Sequence, residues 1–429
     1  MANDAARPYV MFVCGHLPTL NHNGASTYNH AFCRYLDRHW PGSVVVTVRP
    51  RLLALAFDPR RLADCPHLEF ASLHDRSRLK TRMAAAALGL LRPLARPFQR
   101  TALQAAGAWE RRRTRKRARR AEARAEAKTV RLTSHEMTAA EVDRLAALVA
   151  RRGPPVAVLM ETIFRNPALA AFPATTRTFL VAHDVFHQRY ASLRALSLEV
   201  QPVVTADDER RLAGAYDGLI AINSADAASL RELCPGRPVH TLGCPVGVHA
   251  DAPGKRPRAD RIFFIGSSAH PNVDGVCWFI AEVLPALRAR RPDVVLDVVG
   301  AVCEHVPPAP GVRLLGRVED AFAVARDCRL AICPLRAGSG LKIKMLDYFS
   351  FGLPCVTTAI GAAGLPPAPG AFVIADDAGE FARAVAAWLD DAPGDAARAD
   401  GARAYATRFS DAGFDQAMDA VFAEHGVAR

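Results

Sequence analysis

Between Arg336 and Leu365 the chain reads R-A-G-S-G-L-K-I-K-M-L-D-Y-F-S-F-G-L-P-C-V-T-T-A-I-G-A-A-G-L, and these residue types suit the binding of an anion. Gly338, Ser339 and Gly340 separate an apolar run ending at Cys333 from a helical pattern over 342–351. Glycines let the backbone approach a ligand closely, and a helix N-terminus offers free N–H groups and positive potential. Lys342 and Lys344 fall in the first turn, where cations oppose the helix dipole. A negative ligand relieves both, and a diphosphate is the natural candidate. Asp347 follows Lys344 by about one turn and can accept hydrogen bonds from ribose or sugar hydroxyls. The competing reading makes both lysines solvated residues of an amphipathic helix. Gly352-Leu353-Pro354 reads as a helix stop.

A second candidate is His183-Asp184, which follows the apolar run 178–182. Ligands of open α/β sheets bind beyond the carboxyl ends of the strands, so His183 is placed to face a cleft. A structural or capping histidine is the alternative. Asp207-Asp208 reads as a helix start. No D-x-D pair or carboxylate cluster near the glycine loop suits a metal, so none is expected. No G-x-G-x-x-G follows the first apolar run, which argues against a dehydrogenase.

The elements that must position these residues alternate. Strand patterns fall at 9–14, 44–48, 156–160, 178–182, 219–222 and 239–242, with a helix at 25–36 and another from 225. After a Pro-rich, charged linker at 249–260 come strands at 262–265, 293–299, 312–314, 330–333 and 354–357, and helices at 273–290 and 342–351. Strands alternating with helices predict parallel sheets with right-handed crossovers, and two such sheets leave a cleft between them. The fold class is therefore α/β, with two Rossmann-like domains.

The bulk properties agree. Half of the 429 residues are hydrophobic and 23% are charged, the profile of a globular chain. The net charge of +12 suits an acidic partner. Much of it sits in the segment 77–131, read as one or two projecting helices. That segment can lie on an anionic membrane, or form a solvated helix with local Arg–Glu pairs. No aromatic residues interleave its basic run, so nucleic acid is not expected. The ten cysteines include no C-x-x-C pair and read as buried free thiols of a reducing compartment. The first eight residues carry no apolar signal core, and no run is long enough to span a bilayer. A cytoplasmic location is expected, with peripheral membrane contact open.

The segment G-S-G-L-K-I-K-M-L-D, followed by F-G-L-P-C-V-T-T and I-G-A-A-G-L, resembles the retaining glycosyltransferases of family 4, which have the GT-B fold. F-F-I-G-S-S-A-H-P-N-V-D-G-V-C-W-F from Phe263, V-V-G from Val298 and G-V-R-L-L-G-R-V-E-D from Gly311 are similar to the same family. The resemblance implies an acceptor domain at 1–250, a nucleotide-sugar donor domain at 251–405, and a C-terminal helix at 406–429 packing back toward the first domain. It implies donor contacts from Gly266, Asn272, Arg317, Gly338, Ser339, Gly340, Leu341 and Lys342, and catalytic roles for His183, Lys344 and Asp347. Acceptor-side contacts fall on Gly15, Gly24, Ser26, Asp184 and Arg189.

Two departures stand out. The family's paired glutamates fall on Ser339 and Asp347, so the first acid is absent and the second is shortened. The family's Arg after the first donor-domain glycine is Ser267, which leaves Lys342, Lys344 or Arg317 to supply positive charge. The implied activity is transfer of a sugar from a nucleotide-sugar to a glycan, lipid-linked or other acceptor with retention, without a cofactor. A nucleotide-sugar epimerase and a non-catalytic nucleotide or glycan binder are the rival readings.

Overall fold

A computed structural model describes residues 7–16, 18, 24–48, 64–73, 129–132, 136–249 and 260–429. Its strands are β1 (Val10–Cys14), β2 (Val44–Thr47), β3 (Glu69–Ser72), β4 (Thr129–Arg131), β5 (Ala157–Glu161), β6 (Arg177–Ala182), β7 (Glu199–Gln201) and β8 (Gly218–Ala221). There follow β9 (Val239–Thr241), β10 (Arg261–Ile265), β11 (Val295–Val299), β12 (Val312–Gly316), β13 (Leu330–Cys333), β14 (Cys355–Thr357) and β15 (Phe372–Ile374). A seven-stranded sheet has the order β3-β2-β1-β5-β6-β8-β9, and a six-stranded sheet the order β12-β11-β10-β13-β14-β15. The pairings in both are parallel. Strands such as β1 and β5 are buried along their whole length, as expected for a parallel sheet covered on both faces. The α/β architecture expected from the sequence is the one observed.

Local differences from the sequence reading have physical causes. The end of the presumed helical insertion, Thr129–Arg131, is a strand paired in parallel with β7; its Thr-Val pair is β-branched and suits a pleated surface. The rest of that insertion, 77–128, and most of the linker lie outside the described residues. The helix expected over 273–290 is interrupted. Its first part, His270–Trp278, runs through a π turn, Phe279–Val283, into Leu284–Arg290. Pro285 has no N–H to donate and its ring crowds the carbonyl one turn back, which widens the turn. Asp207 and Asp208 do open a helix, Ala206–Ala213, capped by Thr205 and Asp208. All ten cysteines are free thiols, and eight are buried.

The C-terminal helix Asp411–Glu424 lies on the first sheet's side of the molecule. Phe414 packs edge-on against Phe32 of the helix Gly24–His39, and Phe422 does so against Trp40. Arg34 pairs with Asp411 at 2.7 Å, Arg38 with Asp415 at 2.6 Å, and Tyr35 Oη donates to Asp419 at 2.8 Å. No helix among the described residues is long and apolar enough to cross a membrane.

The second sheet carries a charged pair in its interior. Asp297 of β11 is wholly buried; it accepts from Arg261 Nε at 2.8 Å and lies 3.2 Å from Arg313 Nε. Removing one partner of a buried pair strands the other charge. Asp297→Ala is therefore expected to lower unfolding free energy by about 3–5 kcal/mol in urea titrations. An unchanged midpoint would show that water already solvates Arg261.

Candidate functional site: a carboxylate hub facing a glycine bend

Three neighbouring strands deliver polar groups to one place. β1, β5 and β6 are adjacent and parallel, so their carboxyl ends are level. β1 is followed by Gly15 and His16, β5 ends in Glu161, and β6 is followed by His183. Glu161 is wholly buried. It accepts from the Gly15 amide, from the His16 amide at 2.9 Å, from His16 Nδ1 at 2.5 Å and from Asn29 Nδ2 at 3.1 Å. Burial alone would raise its pKa, but His16, His183 and Arg165 hold it well below the usual carboxylate range. Glu161 in turn raises the pKa of His16. Thr162, just beyond, adopts φ 62°, a strained conformation for a β-branched residue. It turns the chain into a short 3₁₀ segment that carries Arg165.

Arg165 is buried, and its Nε and Nη1 have no hydrogen-bond partner among the described residues. Its guanidinium fills the space beside Gly15, where a Cβ would sit 2.5 Å from Nη2. His183 is buried against the edge of Tyr28, with ring centroids 5.3 Å apart. Its Nε2 lies 4.0 Å from Glu161 and has no hydrogen-bond partner among the described residues. Burial lowers its pKa despite Glu161, so the imidazole is neutral at neutral pH.

Facing this hub is the bend between β13 and the helix Ile343–Ser350. Gly338 and Gly340 have φ of 123° and 71°, values that glycine tolerates. A Cβ on Gly340 would lie 2.7 Å from the His183 carbonyl, so the bend touches the first domain's strand end directly. Ser339 Oγ donates to Asp184 Oδ1 at 2.9 Å, and the Gly338 amide donates to Ser192 Oγ at 2.9 Å. Asp184 also pairs with Arg189. The amides of Ser339, Gly340, Leu341 and Lys342 have no hydrogen-bond acceptor among the described residues.

The two lysines differ in what they touch. Lys342 caps the helix, and its Nζ turns back to donate to the Ser339 carbonyl at 3.0 Å and the Gly340 carbonyl at 2.7 Å. Its charge holds the bend in shape. Lys344 Nζ lies 4.5 Å from the centre of the Phe264 ring and donates to Asn272 Oδ1 at 2.5 Å. The Asn272 amide is oriented by donating to the Ser267 carbonyl and hydroxyl, each at 3.1 Å. Burial lowers the Lys344 pKa to about 8, with Lys342 contributing. Asp347 is half-buried, and its carboxyl makes no hydrogen bond to a described residue. Burial pushes it up to about 7, opposed by Lys344.

Of the remaining sequence candidates, Gly266 donates its amide to Val299 O at 3.0 Å beside Asn272. Leu341 is buried within the bend, and Ser26 within the first turn of the helix Gly24–His39. Gly24 faces Ile343, 3.3 Å from where its Cβ would stand. Arg317 is exposed just past β12 and is not gathered with the others. Sequence reading missed Glu161, His16 and Arg165. The one signal was the polar residue ending each apolar run.

Residues 259–391 match the family model described as Glycosyl transferases group 1. No curated protein matches the sequence. The fold is similar to that of TarM, with TM-score 0.64 and 9% identity over 97% of this chain and 99% of that one. Sucrose-phosphate synthase from Thermosynechococcus elongatus gives TM-score 0.66 and 12% identity over 99% and 100%. Anabaena HepE in complex with UDP-glucose gives TM-score 0.61 and 13% identity over 97% and 100%. The architecture is GT-B, and with the matched domain it defines the class of protein: the chain is a glycosyltransferase.

The Glu161–His16 pair has a pH window. A raised His16 pKa gives stability that is complete below about 6.5 and fades as pH rises through the folded-state value. A depressed Glu161 gives stability complete above about 4.3 and lost as pH falls through its low folded value. In Glu161→Gln, burial, Arg165 and Arg189 are left to act on His16 alone. Its titration, followed by NMR, is expected to drop below that of the parent. An unmoved titration would remove Glu161 from the centre of the hub.

Proposed function

We propose that the chain transfers a sugar, with retention of configuration, from a nucleotide-sugar donor to a glycan or lipid-linked acceptor, as a family 4 type enzyme of the cytoplasm. The reading is supported most by one observation: half-buried Lys344 sits behind a bend in which the amides from Ser339 to Lys342 have no acceptor among the described residues. Such a site is favourable for a diphosphate and poor for anything neutral. Structures similar in fold were solved with UDP or UDP-glucose bound, which agrees with a donor of this chemical class.

The bond between the anomeric carbon and the diphosphate oxygen is the one that breaks. Negative charge builds on the leaving diphosphate, and Lys344 with the amides of the bend is placed to meet it. Asp347 is positioned to take donor hydroxyls. His183, neutral and with a free Nε2, stands across the cleft at the point where the sugar would lie. The acceptor enters from the side of Gly15, Gly24 and Arg189. Contact across Ser339 and Asp184 closes the domains and limits water at the reacting carbon.

Lys344→Ala is expected to lower turnover with the preferred nucleotide-sugar by at least a hundredfold while the circular dichroism stays that of the parent. Retained turnover would refute the diphosphate role. The alkaline limb of kcat/KM is expected to fall with an apparent pKa near 8, as Lys344 loses its proton. A limb that stays in place in Lys344→Arg would assign the ionisation to another group.

A further inference from the structure

The end of the C-terminal helix meets the edge of the first sheet. His240 belongs to β9, the last strand in the sheet order, and His425 follows the helix Asp411–Glu424 directly. Their Nε2 atoms face each other at 3.3 Å, with the rings inclined by 68°. Glu424 approaches His240 Nδ1 at 3.8 Å, and one ligand atom from each of the three residues lies within 4.8 Å of the others.

A tetrahedral ion bound at about 2.0–2.1 Å by two imidazoles holds their nitrogens about 3.3–3.4 Å apart. The observed separation falls in that range and is also that of a hydrogen bond between the two imidazoles, which an ion would replace. The seat of His425 is built by its surroundings. It rests on the edge of Phe179, with centroids 4.9 Å apart, and a Cβ on Gly218 would lie 2.9 Å from its Nε2. Only a residue without a side chain at 218 leaves room for it.

We propose that His240, His425 and Glu424 bind a divalent transition-metal ion of the zinc class, which clamps the C-terminal helix onto the edge of the first sheet. The donor set of two imidazoles and one carboxylate suits zinc, nickel or copper rather than magnesium or calcium. Glu424 is exposed, so the remaining coordination position opens to solvent. The clamp joins residues 185 apart in sequence and stabilises the docked helix in proportion to metal occupancy.

The test uses the full chain, stripped with a chelator and titrated with ZnCl2, with CoCl2 as a spectroscopic probe. One equivalent of zinc is expected to bind and to raise Tm. His240→Ala and His425→Ala are each expected to weaken binding at least tenfold and to abolish the rise in Tm. Glu424→Gln changes an exposed side chain, and is expected to weaken binding while leaving the apo Tm unchanged. Bound cobalt is expected to show d–d bands without a thiolate charge-transfer band. A second grouping, His30, Asp64 and Cys65, also has ligand atoms within 4.8 Å. Binding that survives in the His240 and His425 variants, or a thiolate band lost in Cys65→Ser, would overturn the proposal. So would the absence of zinc binding by the parent chain.

Discussion

A carboxylate withdrawn from water must be surrounded by donors, and the site is organised around that requirement at Glu161. Two amides, an imidazole and an amide side chain converge on one group. They come from the loop after β1 and from the helix Gly24–His39, so a single charge fixes the entry to that helix. The parallel sheet makes this possible. Adjacent strands end level, and the residues beyond them are the first free to be polar. His183 inherits its place from the same geometry.

The facing bend obeys the opposite logic. Its carbonyls are turned inward onto the Lys342 ammonium, and the amides from Ser339 to Lys342 have no acceptor among the described residues. One cation thereby shapes the bend, while the second lysine reaches Asn272 and the Phe264 ring instead. Ser339 belongs to this arrangement. A longer acid at that position would meet Asp184, which now accepts from the serine hydroxyl. The serine in place of the family's glutamate is thus matched by an acid offered from the other domain.

The architecture was largely legible in the sequence, because buried parallel strands read as unbroken apolar runs and their ends as glycine or polar residues. The bend was legible because Gly338 and Gly340 require conformations other residues avoid. What sequence could not convey was direction. Lys342 and Lys344 look equivalent on a helix, and only the path of the bend sends one backward. Glu161 and Arg165 carry no motif, since their partners are brought by strand adjacency rather than by spacing. Thr129–Arg131 was misread because three residues hold too little periodicity to mark a strand, and its partner β7 lies some seventy residues on.

The docking of the helix Asp411–Glu424 has a consequence for synthesis. Phe32, Tyr35, Trp40 and Phe179 belong to the first half of the chain, yet aromatic rings from the last twenty residues cover them. While the ribosome is still translating, that greasy surface has no lid. The nascent N-terminal half therefore emerges sticky and unfinished, and its maturation waits on the synthesis of that helix.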